Sequence, residues 1–85
     1  MGGDWKVYVL KSLKNGRFYT GSTDDLARRL EEHARGKTAY TRHAGPFALV
    51  HTEDCEDRLG ARRRERYVKT GAGREEVARL VSSAR

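Results

Sequence analysis

The sequence predicts an α+β domain in which a three-stranded antiparallel sheet, a β-hairpin plus one later strand, is flanked by helices in the order β-β-α-β-α-α. Two observations lead there. An Asn15-Gly16 pair divides two runs rich in β-branched and aromatic residues, and capped helical segments lie on both sides of a short apolar run at residues 47–51. A sheet with an apolar face has to be covered, so the later strand pairs with one hairpin strand and the helices pack over the sheet.

Residues 5–10 (WKVYVL) and 17–20 (RFYT) are the hairpin strands, because Asn-Gly supplies the positive φ angles of a tight turn. With Asn15 and Gly16 at the turn centre, Tyr8 and Tyr19 point to one face and Val7, Val9, Phe18 and Thr20 to the other, the expected core face. Gly21 then falls opposite Leu10 on the tyrosine face and leaves a gap that invites a close approach. A longer, bulged loop would change this register.

Thr23-Asp24-Asp25 offers cap side chains and favourable charge for a helix over residues 24–34, ended near Gly36. On its wheel Leu26, Leu30, Arg29 and His33 share an arc of about 100°, with Arg28 and Glu31 opposite. The stretch 36–46 (GKTAYTRHAGP) is a basic, glycine-punctuated loop placed to touch a ligand through Lys37 and Arg42. Residues 47–51 (FALVH) read as a buried third strand closed by the charges of Glu53 and Asp54. A second helix spans 56–69, Gly71-Ala72-Gly73 breaks it, and a last amphipathic helix over 74–82 carries Val77, Leu80 and Val81 on one face.

Length and composition bound what such a fold can do. The 85 residues leave room for one domain over 1–85. Eighteen Lys and Arg against 12 acids give a net charge of +6, which favours an anionic partner and, for a small basic domain, nucleic acid. Cys55 is the only cysteine and the three histidines lack zinc-site spacing, so neither a disulfide nor a structural zinc holds the fold. No signal peptide or membrane-length apolar run is present, and a cytoplasmic protein is expected.

Within the second helix Arg58, Arg62, Arg63, Arg64, Arg66 and Lys69 surround one acid, Glu65, which lies beside the core-facing Ala61 and Val68. Helix charge pairing with Arg62 and Lys69 would account for it. So would binding of a metal ion, since Mg²⁺ keeps several waters and takes one or two protein carboxylates. Tyr8 and Tyr19 are ordinary strand residues that pack a ring and hydrate a hydroxyl, yet two on one face beside a glycine gap suit a site. Arg29 either lays its stem along the core edge or clamps phosphate, and His33, one turn on, can donate a hydrogen bond or shuttle a proton. His43 and His51 are expected to carry no chemistry.

The run Val7-Tyr8-Val9-Leu10, then Tyr19-Thr20-Gly21, then Leu26-Ala27-Arg28-Arg29-Leu30 with His33, then Arg63-Arg64-Glu65 followed by Lys69, resembles the GIY-YIG nuclease superfamily. The resemblance covers residues 5–80, and the size is that of small standalone bacterial members. It implies that Tyr8, Tyr19, Arg29 and His33 line an active site and that Glu65 binds the metal. It further implies in-line attack of water on phosphorus, with a tyrosine or histidine assisting deprotonation and the metal stabilising the leaving 3′-oxygen. Lys6-Val7-Tyr8 stands where Gly-Ile-Tyr is usual, and Thr20 replaces the central isoleucine of Tyr-Ile-Gly; both tyrosines are kept. Ser22 stands where some excision-repair relatives have lysine, and Asn15 lies in the turn, not downstream of the glutamate.

The expectation is a Mg²⁺-dependent endonuclease, with Mn²⁺ as a substitute, cutting branched, nicked or single-stranded DNA in repair or recombination. Lys37, Arg42, Arg62, Arg63 and Lys69 are expected to hold the nucleic-acid backbone. The competing expectations are a module of the same fold that binds DNA or RNA without cutting, and a protein-interaction domain that delivers another enzyme to nucleic acid.

Overall fold

In the computed structural model, which describes residues 4–36 and 45–83, the chain runs β1 (Trp5–Ser12), β2 (Phe18–Thr23), α1 (Leu26–Ala34), β3 (Phe47–Cys55), α2 (Arg58–Val68) and α3 (Gly71–Ser83). This is the predicted order. β1 is the middle strand of the antiparallel sheet, with β2 and β3 at the edges. Its central position accounts for its apolar run: Val7, Tyr8, Val9 and Leu10 are all buried, on alternate faces of a sheet covered on both sides. Val9 packs with Val68 of α2 and Val77 of α3, and Phe18, Val50 and Val81 close around them. Tyr8 and Leu10 face the other way, toward α1, where Leu10, Leu30, Phe47 and Leu49 border one cavity.

The hairpin register differs from the expected one by two residues, with Tyr8 opposite Gly21 and Leu10 opposite Tyr19. Ser12 donates its backbone N–H to the Arg17 carbonyl at 2.9 Å, so residues 13–16 form the loop. The Ser12 hydroxyl accepts from the amides of Lys14 and Asn15, both at 3.1 Å, and of the loop residues only Gly16 takes a positive φ, +76°. These side-chain bonds to the backbone outweigh the preference of Asn-Gly for a two-residue turn. Two extra loop residues keep the parity of the strands, so both faces stand as expected; what moves is Gly21, from Leu10 to Tyr8.

Other boundaries shift for local reasons. α1 begins at Leu26, because Asp25 caps it by accepting the Arg28 amide at 3.1 Å while Thr23 accepts the Asp25 amide. β3 is a half-exposed edge strand, not a buried one, and runs on to Cys55. Its charges do not end it because they are paired: Asp54 with Lys6, Glu53 with Arg64. Its register slips between Val9 and Leu10, which leaves Val50 as an extra residue turned onto the core. α3 starts at Gly71, so the glycine run is a first helical turn and not a break. Thr70 accepts the Gly73 amide there, and a Cβ on Gly73 would stand 2.6 Å from Val68 Cα. Glycine is what lets the two helices meet.

Arg64 ties three elements together. It donates to both carboxylate oxygens of Glu53 on β3, at 2.6 and 3.0 Å, and it also pairs with Glu76 on α3. His51 hydrogen-bonds Glu53 at 2.8 Å and the Tyr67 hydroxyl donates to Glu76 at 3.0 Å. The Glu53 carboxyl is held below the usual range, first by the Arg64 hydrogen bond, with burial opposing. Among the described residues no helix is long and apolar enough to cross a membrane.

Candidate active site

Because β2 is an edge strand, its outer side opens between α1 on one face of the sheet and α2 on the other. A cleft of about 310 Å³ lies there, lined by Tyr8, Thr20, Gly21, Ser22, Arg29, His33, Arg62, Glu65 and Lys69. Three separate elements feed it: β1 gives the phenol, α1 the arginine and imidazole, α2 the carboxylate. Tyr8 reaches it by lying across the backbone of Gly21, where an added Cβ would stand 2.6 Å from the ring carbon that bears the hydroxyl. The gap that the sequence places at Gly21 is filled by Tyr8 itself.

The Tyr8 hydroxyl and His33 Nε2 are 2.8 Å apart and share a proton, both side chains being buried. Their rings meet edge to face, with centroids 5.6 Å apart. Burial first, and the charge of Arg29 second, lower the His33 pKa from its ordinary 6.5, and Glu32 opposes them. The imidazole is therefore neutral at pH 7. Arg29 is part-exposed, with its guanidinium 3.4 Å from Glu32, while Arg28 points to solvent as the helical wheel requires.

Glu65 accepts a hydrogen bond from the Ser22 hydroxyl at 2.6 Å on one oxygen and from the Lys69 ammonium at 2.8 Å on the other. Burial alone would raise its pKa, but these two bonds and the nearby Arg62 charge outweigh it and hold the carboxyl below its ordinary value. It is thus ionised at neutral pH, which a metal ligand requires. Among the described residues no group of three or more His, Cys, Asp and Glu side chains forms a metal cage. Glu65 alone fits an ion that keeps most of its water and takes its remaining ligands from a phosphate, as Mg²⁺ does.

Of the residues singled out in the sequence, Tyr8, Arg29, His33, Arg62, Glu65 and Lys69 meet in this cleft. Tyr19 stands outside its lining; its ring meets Phe47 edge to face at 5.4 Å, and it borders a second basin with Arg17, Phe18 and Arg74. Arg63 is exposed and outside the lining, and Lys37 and Arg42 lie outside the described residues. The sequence reading missed Ser22 as a partner of Glu65. Hairpin parity held the signal, since Ser22 follows Phe18 and Thr20 on the α2 face.

Comparison with known proteins identifies the family of the chain. The profile of the GIY-YIG catalytic domain matches residues 4–76. A UPF0213 protein of Pseudomonas aeruginosa is 39% identical over 82 residues, which is 95% of this chain and 78% of the relative. One of Natronomonas pharaonis is 41% identical over 83 residues, 96% of this chain and 95% of the relative. The solution NMR structure of a UPF0213 protein from Bacillus halodurans is similar, with a TM-score of 0.55 at 40% identity, covering 89% of this chain and 83% of that one. These names group the relatives without stating an activity.

Proposed function

This chain belongs to the GIY-YIG nuclease family, and on that premise we propose that it is a metal-dependent endonuclease that hydrolyses DNA phosphodiester bonds in the cleft at the β2 edge. The observation that carries the proposal is the meeting of the Tyr8–His33 pair, Arg29 and ionised Glu65 in one cleft from three elements. Buried packing ties explain one such residue; they do not explain a proton-transfer pair, a cation and a carboxylate turned to the same solvent-open space.

In this reading the scissile phosphate lies between Arg29 and Glu65. Arg29 leaves Glu32 to hold a non-bridging oxygen, a bidentate partner for its guanidinium. Water attacks phosphorus in line. Its proton passes to the Tyr8 oxygen as Tyr8 gives its own to neutral His33, so the proton taken up ends on His33 as an imidazolium and Tyr8 never becomes a free phenolate. The P–O3′ bond breaks, leaving a 5′-phosphate and a 3′-oxygen that is protonated from solvent. Glu65, oriented by Ser22, would hold the Mg²⁺ or Mn²⁺ ion, which supplies charge stabilisation for the pentavalent phosphorus and the leaving oxygen. Tyr19 contacts the strand from outside the cleft, with no part in proton transfer. Arg62 and Lys69 line the cleft as backbone contacts, and Lys37, Arg42 and Arg63 are further residues of this chain that would hold the nucleic-acid backbone. A role in repair or recombination, acting on branched or single-stranded DNA, suits a basic domain too small to read a long sequence.

The ion pair of Lys69 with Glu65 favours a second reading, in which the lysine permanently takes the place of the metal and the protein binds nucleic acid without cutting. Incubation with labelled single-stranded, duplex, nicked and branched DNA, with Mg²⁺ or with chelator, separates the two. Endonuclease activity predicts products in Mg²⁺ that chelator abolishes; binding to any of these with no product in either condition leaves only the second reading.

A further inference from the structure

The outer edge of β2 carries a row of cavities. The cleft at Gly21 and Ser22 shares Thr20 and Lys69 with a narrow crevice, and that crevice shares Phe18 and Arg74 with a broad basin of about 600 Å³ lined by Arg17, Phe18, Tyr19 and Arg74. Among the described residues, Glu65 is the only acid in any of these linings. Arg17 and Arg74 form no ion pair among the described residues, a property they share with Arg58, Arg62, Arg63, Arg66 and Arg79; what sets the two apart is that both line this basin. At about 3.3 Å per residue, the four steps from Gly21 back to Arg17 place the basin roughly 13 Å from the cleft.

We infer that this basin is a second nucleic-acid subsite, in which Arg17 and Arg74 hold the DNA backbone that flanks the scissile phosphate while Tyr19 walls the nucleotide between. The inference rests on the nuclease reading of the cleft, and it fixes the path of the strand beside the scissile phosphate: along the β2 edge and past Lys69. Two guanidinium groups without carboxylate partners, lining one open basin, match a polyanion by charge and by their forked donors. An edge strand keeps this path clear, because no further strand or helix covers its outer side in the described residues.

The test is binding of a labelled single-stranded DNA in chelator, so that nothing is cut, over a range of salt. Arg17→Gln with Arg74→Gln is compared with Arg66→Gln plus Arg79→Gln, an equal loss of charge elsewhere on α2 and α3. The first pair is expected to weaken binding about tenfold at low salt and to make the log Kd against log salt slope shallower by about 1.4, two single-strand phosphate contacts. The second pair is expected to change Kd less than threefold, roughly the effect of general charge alone. Arg17→Lys with Arg74→Lys, which keeps the charge, is expected to restore most of the salt slope. Equal losses in the two Gln pairs, or no loss in the first, overturn the path, as does a wild-type protein that binds no DNA. Metal-dependent cutting is assayed separately: its absence with the binding contrast intact sinks the nuclease reading and leaves the basin as a backbone-binding subsite with no scissile phosphate beside it.

Discussion

The Tyr8 hydroxyl lies 2.8 Å from His33 Nε2, a buried contact made across the bare backbone of Gly21. Glycine is required there because the ring crosses the strand where a side chain would otherwise be. Gly21→Ala is therefore expected to push Tyr8 out of its place, since the tyrosine is buried and cannot simply swing away. The expected result is a loss of cleavage of about 100-fold or more, the usual contribution of a positioned acid–base group, with a stability loss of about 1–3 kcal/mol. Single-turnover rates beside urea denaturation of the same variant check both.

Activity should depend on pH through His33. Its pKa is lowered in the folded protein, by burial and then by Arg29, so the neutral form that accepts a proton persists below pH 6.5. The cleavage rate is expected to stay level from neutral pH down past 6.5 and to fall only when acidification protonates His33. Arg29→Gln removes one of the two lowering causes, so the acid limb should move to higher pH as the rate drops. NMR titration of the His33 ring checks the direction without any substrate; an upward shift relative to a free histidine would contradict it.

Stability at acid pH should depend on Glu53. Its folded-state pKa is depressed below 4.5, so the stability it contributes is present above that value and is lost as pH falls through the folded pKa. Glu53→Gln is expected to cost about 1–2 kcal/mol at pH 7, a charge-assisted bond discounted for partial exposure, and to flatten the acid limb of a stability-against-pH curve. Thermal unfolding of both proteins from pH 7 to pH 3 measures it.

Gly73→Ala tests the helix junction. A Cβ there meets the backbone of α2, 2.6 Å from Val68 Cα, and backbone cannot step aside as a flexible side chain can. A loss of about 3 kcal/mol or more is expected, against less than 1 kcal/mol for Gly71→Ala, where a Cβ meets open space. Equal effects of the two substitutions in chemical denaturation would contradict the packing described.

Much of this was legible from local rules. Alternation in WKVYVL assigned Val9 and Tyr8 to opposite faces, and the helical wheel separated Arg29 from Arg28, because both periodicities are geometric and survive small errors of boundary. The hairpin register was misplaced because Ser12 outbids Asn-Gly through side-chain bonds that a dipeptide preference does not include. The end of β3 was misplaced because Glu53 and Asp54 looked like a polar stop; their partners, Arg64 and Lys6, are distant in sequence. The same distance hid the bond from Ser22 to Glu65. Tyr19 shares a face with Tyr8 as expected, but a shared face does not fix a shared cavity: Tyr8 leans across Gly21 into the cleft while Tyr19 turns to Phe47.

The most direct measurement is single-turnover cleavage of labelled DNA in Mg²⁺ by the wild type and by Glu65→Gln, with binding measured on the same samples in chelator. Glutamine keeps the shape and an acceptor for Ser22 but loses the charge that an ion needs. The account predicts cleavage by the wild type, a fall of at least about 100-fold in the variant and a Kd within a few-fold of the wild type. Cleavage by Glu65→Gln at the wild-type rate would contradict it.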